Sequence, residues 1–391
     1  MNKIKHAHYL FRNLGFIQSI KYAATLPVRF LNRYFEGSLR IKATIRSHQK
    51  IWNTFNSSSI KNLNPLSAAL KKEALSLYSK FNLKPNLLWH QFFITLNKIP
   101  NPAYISEDLL YNNIEPSLNQ KSAVFAYSDK NSYNRFFPEI KQPRTVLRYI
   151  CGEYYNAAYI QISEAEAYQL ISAESNLVLF KPSIESGQGR NIFKLYVKDN
   201  VYWLDKKQIH SLADLNRIAP KGYIIQEIVS QHKKLEEIYP FSINTVRCIT
   251  LRLRGEIIFL HAILKLGNNS HYLDKMAFGG LCCGIDESGN LYPFAYDATF
   301  KKHSKHPQTK IAFKEKKVPG FDLLKQQAIE AHKKLPYFNM ISWDFAIGTD
   351  EELILIEMNL RAQGILYQQA ILGPLFGKYT DDVIELVMSQ K

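Results

Sequence analysis

Residues 341–359 read Ile341-Ser-Trp-Asp-Phe-Ala-Ile-Gly-Thr-Asp-Glu-Glu-Leu-Ile-Leu-Ile-Glu-Met-Asn359. The stretch spells two β-strands joined by a tight turn around Asp350-Glu351, since apolar residues alternate on either side of a polar, glycine-containing break. Trp343, Phe345 and Ile347 alternate along the first strand, and Ile354, Ile356 and Met358 along the second. If these six share the buried face, Trp343 pairs with Met358, Phe345 with Ile356 and Ile347 with Ile354. That register sets Asp344 opposite Glu357 on the other face, with Asn359 two residues along. A slip of one residue would split the apolar set, so the register is well specified. Two carboxylates and an amide oxygen then converge at one strand end, a hard oxygen-donor set suited to Mg²⁺. Two acids held that close repel each other unless a cation lies between them. The alternative is an ordinary hairpin with a solvated acidic face.

Three stretches upstream carry related chemistry. In residues 176–193 a hydrophobic strand ends in Lys181, and the loop Ser186-Gly187-Gln188-Gly189 follows before a second β-like run from Ile192. Glycines let backbone N–H groups approach phosphate oxygens, and Lys181 offers a point charge. The context is strand–loop–strand, so neither a P-loop nor a Rossmann turn is present; alone, the loop reads equally as a surface turn. The strand from Gly222 runs into Gln226, Glu227 and Ile228, a strand-to-linker hinge able to present backbone groups to an adenine edge, or simply a solvated strand end. Arg247 interrupts an apolar strand, Val246 to Leu251, and Lys265 lies likewise in Ile257–Leu266. An Arg so placed has an anionic partner, either a transferring phosphoryl group or one of the protein's own acids.

The chain around these motifs has 391 residues, 46 % hydrophobic and 21 % charged, which is globular composition and excludes wholesale disorder or a disulfide-stapled mini-fold. Its four cysteines, Cys151, Cys248, Cys282 and Cys283, form no CxxC and no zinc spacing, and read as reduced thiols of a cytoplasmic protein. No apolar run is long enough to span a bilayer, and Lys3, Lys5 and Arg12 break the N-terminus, which does not read as a signal peptide. The formal net charge is +16, and the first 50 residues carry most of it, with a single acid, Glu36. Phe11, Leu14, Ile17, Ile20 and Ala24 recur there at near-helical spacing. This basic amphipathic region suits an anionic membrane surface or a phosphate-bearing partner, or packs on the main domain with its charges solvated. No nucleic-acid-binding module motif is present.

Helical patterning continues over Pro65–Phe81 and Leu87–Leu96. After about residue 120 short β-like runs dominate, among them Ser122–Ala126, Tyr223–Glu227, Arg247–Leu253 and Glu256–Leu264, separated by helical stretches such as Phe321–Lys334. The expected fold class is α+β, preceded by a basic helical N-terminal region.

In this order the motifs resemble the ATP-grasp superfamily, and most closely the sugar-transfer-associated ATP-grasp proteins found with bacterial surface-polysaccharide genes. The residues that carry the resemblance are Tyr127-Ser-Asp-Lys-Asn131, Lys181-Pro with its Ser186–Arg190 loop, Ile225-Gln-Glu227, Ser242-Ile-Asn-Thr-Val-Arg247, Gly279-Gly280, Trp343-Asp and Glu357-Met-Asn359. Where the family pattern leads one to expect Asp-Asn before the double glycine, this chain has Asp274-Lys275.

The resemblance implies two lobes with antiparallel sheets closing on ATP. It implies a basic region over 1–84, an N-terminal substrate part over 85–175, a flap lobe over 176–230 and a C-terminal lobe with the metal site over 231–391. Lys130 and Lys181 would contact ATP, with Ser186, Gly187, Gln188 and Gly189 as the flap and Gln226, Glu227 and Ile228 as the adenine hinge. Arg247 would steady the transferred phosphate, a role for which Lys265 has a similar claim from its place in an apolar strand, and Asp344, Glu357 and Asn359 would hold Mg²⁺. The implied reaction is carboxylate activation as an acyl phosphate followed by attack of an amine, with a carboxylated sugar and an amino acid or amine as substrates. A sugar kinase and a non-enzymatic nucleotide-binding adaptor are the alternatives. The implied place is the cytoplasm, with peripheral contact at the inner membrane face.

Overall fold

In a computed structural model of the chain, residues 53–390 are described except positions 57, 61, 82–84, 175–176, 185–190 and 199–200. The basic segment up to residue 52 and the loop Ser186–Gly189 therefore lie outside the described residues. The strands that are described form two sheets, each antiparallel throughout. The first holds β1 (Thr145–Ile150), β2 (Glu153–Tyr155), β3 (Gln161–Ile162), β4 (Val178–Pro182), β5 (Phe193–Lys198), β6 (Val201–Leu204), β7 (Lys207–Ile209) and β8 (Tyr223–Glu227). Their order is β3-β2-β1-β8-β4-β5-β6-β7, so this sheet begins at Thr145, upstream of the Lys181 strand.

The second sheet holds β9 (Thr245–Leu253), β10 (Glu256–Leu266), β11 (Leu281–Ile285), β12 (Leu291–Asp297), β13 (Lys302–His303), β14 (Met340–Ile347) and β15 (Leu353–Asn359), in the order β13-β12-β11-β10-β9-β14-β15. Both its faces are covered, which explains why its strands are nearly continuously apolar. Val246 and Cys248 pack with Trp343, Phe345 and the helix Phe321–Lys333. Ile249, Leu251 and Leu253 pack on the opposite face, against Leu77 and Tyr78 of the helix Ala68–Ser79 and Val383, Ile384 and Val387 of the helix Thr380–Ser389. The first sheet is backed by the helices Glu164–Ser172 and Leu212–Ile218 through Ala167, Ile171, Leu212 and Leu215. Ser163 and Glu166 start the first of these helices with a reciprocal capping box.

Two expectations are corrected. Ser122–Ala126 is not a strand but part of the helix Lys121–Tyr127; a short apolar run carries no period that separates the two. The hairpin β14–β15 keeps the expected register only at its chemical end. Ser342 pairs with Asn359, Trp343 with Met358 and Asp344 with Glu357, but beyond a bulge Phe345 pairs with Leu355 and Ile347 with Leu353. Ile356 is the extra residue. Leu353 and Leu355 thereby join Phe345 and Ile347 in one core, while Ile354 and Ile356 turn to a second cluster with Val229 and Ala346. The turn lies where expected, with Gly348 N–H donating to the Glu352 carbonyl at 2.8 Å and Glu351 at φ +60°.

Candidate functional site

Side chains alternate across a strand, so Arg247, two residues from the buried Ile249, shares its face and reaches the end of that face. Antiparallel pairing sets Arg247 directly opposite Asp344, and Asp344 opposite Glu357. The three form one row across β9, β14 and β15, and Ile249, Ser342 and Asn359 form the next.

Within the row the guanidinium grips the carboxylate with two parallel bonds, Arg247 Nε to Asp344 Oδ1 at 2.7 Å and Nη2 to Oδ2 at 2.5 Å. Lys265 Nζ stands 3.5 Å from the same Oδ2 and 3.4 Å from Asp274 Oδ2. Asp274 also accepts from the Thr245 hydroxyl. Burial alone would raise the Asp344 pKa, but Arg247 and Lys265 hold it down at about 2. Burial pulls Arg247 and Lys265 down, and their acidic partners outweigh it, so both remain charged.

Glu357 is bound from another direction. Lys130 Nζ lies 2.8 Å from its Oε1. Lys130 starts a short turn, Lys130–Ser132, whose first backbone N–H donates to the Ser183 carbonyl at 3.0 Å. The Asn131 carbonyl accepts from Arg148 Nη1 at 2.9 Å and from the Tyr159 hydroxyl at 2.5 Å. This turn carries Lys130 from the first sheet to the acid of the second.

Lys181, on β4, is buried and donates to Gln226 Oε1 at 3.2 Å, while Gln226 Nε2 donates to the Pro143 carbonyl at 3.1 Å. Burial, with Lys130 nearby, lowers the Lys181 pKa to about 8. Glu227 is engaged by Arg144, which donates its backbone N–H at 2.9 Å and brings Nε to 3.4 Å. Ile228 is exposed on the linker that follows.

The family model for sugar-transfer-associated ATP-grasp proteins matches residues 111–378, which contain both sheets and all of these side chains. The chain belongs to that family. Its two antiparallel sheets are the lobes of the ATP-grasp fold. The solved structures it matches include the VanG D-Ala:D-Ser ligase from Enterococcus faecalis, at 13 % identity and TM-score 0.37, covering 66 % of this chain and 61 % of that one. They also include the ATP-grasp ligase PsnB solved with a minimal precursor, Mg and ADP, at 13 % identity and TM-score 0.38, covering 69 % and 62 %. A third is the biotin carboxylase from Campylobacter jejuni, at 13 % identity and TM-score 0.39, covering 67 % and 46 %. The chain thus spans about three fifths of the length of the first two, 61 % and 62 %. No curated protein matches it.

The structure brings Lys130, Lys181, Arg247, Lys265, Asp344 and Glu357 together, with Asn359 in the adjacent row of the second sheet. The cations that neutralise Asp344 and Glu357 are the protein's own, and the Arg247 alternative in which it pairs with an internal acid is the one observed. Among the described residues no three His, Cys, Asp or Glu side chains gather as a metal cluster. Two carboxylates and an amide nevertheless fit Mg²⁺ in donor type, since that ion uses one or two carboxylates and fills its remaining positions with water and phosphate oxygen. Of the Asn359 amide only Oδ1 can ligate a cation; its Nδ2, buried without a hydrogen-bond partner, is a donor and takes no part in such a site. Asp274 and Thr245 stand inside motifs quoted from the sequence, where they carry no assigned role. Asp274 stands just before the double glycine but carries no periodic signal, and only β-pairing of Lys265 with Thr245 brings it to Lys265. Among the described residues no helix is long and apolar enough to cross a membrane, and all four cysteines are free, only Cys151 being exposed.

Proposed function

We propose that the chain is an ATP- and Mg²⁺-dependent carboxylate–amine ligase. It joins an amino acid or amine to a carboxylated sugar in the assembly of a surface polysaccharide such as capsule or O-antigen. The observation that carries this reading is the in-register row Arg247–Asp344–Glu357 beneath Lys130, Lys181 and Lys265. Cations gathered around a small acidic core suit a polyanion, and the sugar-transfer association of the family supports the sugar side.

In the first step an oxygen of the substrate carboxylate bonds to the γ-phosphorus of ATP. The bond to the β–γ bridging oxygen breaks, and ADP leaves with its electron pair. In the second step the amine nitrogen bonds to the acyl carbon, inorganic phosphate leaves with the C–O electron pair, and the nitrogen gives up a proton. The first step brings two anions together, so the chain's work is positioning and charge neutralisation. Lys130 and Lys181 hold the nucleotide, Gln226, Glu227 and Ile228 face the adenine, and Lys265 and Arg247 meet the transferred group. Arg247 does so by exchanging one of its two Asp344 bonds for a phosphate oxygen. Asp344, Glu357 and Asn359 would hold Mg²⁺, which when bound neutralises charge across phosphate oxygens.

The test is ADP release against a panel of uronic acids and amino acids, followed by the product mass. An amide with ADP and phosphate is expected. A phosphate ester with ADP alone identifies a kinase, and ATP binding without turnover across the panel identifies an adaptor. The basic residues 1–50 further support peripheral contact with anionic lipid, which fails if their removal leaves co-sedimentation with anionic liposomes unchanged.

A further inference from the structure

The loop between β10 and β11 carries Asp274-Lys275 ahead of Gly279-Gly280. The glycines close this loop onto Lys275. Gly279 takes φ +84°, and a Cβ on Gly280 would lie 2.6 Å from the Lys275 carbonyl oxygen and 2.7 Å from that of Leu266. With no Cβ in the way, Gly280 N–H donates to the Lys275 carbonyl at 2.9 Å and Phe278 N–H to the same oxygen at 3.1 Å. The backbone of residue 275 is thus pinned at the edge of the site.

Its side chain is not satisfied. Lys275 Nζ is buried with no hydrogen-bond partner. The Phe278 ring stands 5.8 Å from Nζ to centroid. Asp274, Lys265 and Glu357 lie within electrostatic range, yet each acid nearby is already engaged. Asp274 holds Thr245 and Lys265, Glu357 holds Lys130, and Asp344 holds Arg247 and Lys265. Five cations, Lys130, Lys181, Arg247, Lys265 and Lys275, face three acids. That leaves a surplus of two positive charges, the complement of an ATP tetra-anion carrying one divalent cation. An unpaired buried ammonium is costly, and such a violation is expected at a site where a ligand completes the pairing. The charged groups that act on Lys275 include Lys265 and Glu357, which the reading above assigns to the transferred phosphate and the metal.

We propose that Lys275 is a further catalytic residue, whose ammonium donates to a non-bridging oxygen of the nucleotide's terminal phosphoryl group as that group passes to the substrate carboxylate. The proposal rests on the ATP-dependent reading above. It places the missing anion at the end of the triphosphate, so it separates ATP from ADP.

The experiment is calorimetric titration of the full chain with Mg²⁺ and either β,γ-imido-ATP or ADP, for wild type, Lys275→Met and Lys275→Arg, with thermal melts of the unliganded proteins. Lys275→Met is expected to weaken imido-ATP about tenfold and ADP less than about twofold, as fits loss of one charge-assisted hydrogen bond. It is also expected to raise the Tm of the unliganded protein, because an apolar isostere replaces an unpaired buried charge, and Lys275→Arg should recover most of the imido-ATP affinity. Equal loss for both nucleotides, no loss for either, or a fall in Tm overturns the assignment while leaving the ATP reading intact. Should the wild type bind neither nucleotide, the ATP reading itself fails. If Lys275→Met does not fold, Lys275→Gln gives the same readout.

Discussion

The two sheets deliver their cations to the site in opposite condition. The seven-stranded sheet presents Arg247 and Lys265 already paired with Asp344 and Asp274. The eight-stranded sheet presents Lys181 against a neutral amide, Gln226. Two pKa values record the contrast: Asp344 is held at about 2 by its cations, whereas burial brings Lys181 down to about 8. A charge that is paired in the folded chain fixes geometry and adds to stability; one that is buried without an opposite charge costs stability until a ligand arrives. The strands of the seven-stranded sheet thus hold their cations paired, whereas Lys181 on the eight-stranded sheet, like Lys275 on the loop after β10, is buried without an ion-pair partner.

The largest effect is expected where the pairing is densest. Asp344→Asn leaves Arg247 and Lys265 facing a neutral group, and should cost about 3–5 kcal/mol in urea denaturation, as removal of one partner from a buried pair does. The contribution of Asp344 is present above the unfolded carboxylate pKa of about 4 and is lost as pH falls through its folded value of about 2. A loss below about 1 kcal/mol would dissolve the contrast between the sheets.

Glu357→Gln tests chemistry apart from fold. The side chain is 26 % exposed, so the native structure should persist with a similar circular dichroism spectrum. Turnover should fall about a hundredfold or more, the scale of a removed charge-stabilising group. Near-normal activity would remove Glu357 from the metal and phosphate machinery.

Lys181→Met should show the opposite sign. Folding lowers the Lys181 pKa from an unfolded value of about 10.4 to about 8. The unfolded chain therefore binds the proton more readily, and the destabilisation is complete below about 8 and fades as pH rises through the unfolded value. The Met variant should melt above wild type at pH 7, with the gap narrowing toward pH 10, and should bind nucleotide more weakly. A lower Tm at pH 7 would show that the Gln226 bond outweighs the desolvation.

The sequence made legible what one buried face could select. Trp343 against Met358 and Asp344 against Glu357 were readable because a polar side chain amid apolar neighbours marks its face. The register beyond Asp344 was not, because Leu353 to Ile356 are all apolar and both sheet faces are buried, so either register satisfies the hydrophobic pattern. The partners of the charged residues were illegible for another reason. Arg247 reads the same whether it meets a phosphate or Asp344, and only the pairing of β9 with β14 decides what stands opposite it. Lys130 was reachable only through family resemblance, since the turn that carries it to Glu357 is held by Arg148 and Tyr159, neither of which has a local signature. Lys275 appeared only as a departure from a family pattern, and its unpartnered ammonium needs coordinates to be seen.

The extra residue at Ile356 has an evolutionary corollary. It uncouples the two ends of the hairpin, so that insertions or deletions in the Gly348–Glu352 turn can be absorbed by re-pairing of Leu353 to Leu355 while Asp344 and Glu357 stay abreast. Relatives of this chain should accordingly vary freely in the length of that turn and hardly at all in the span from the bulge to Asn359.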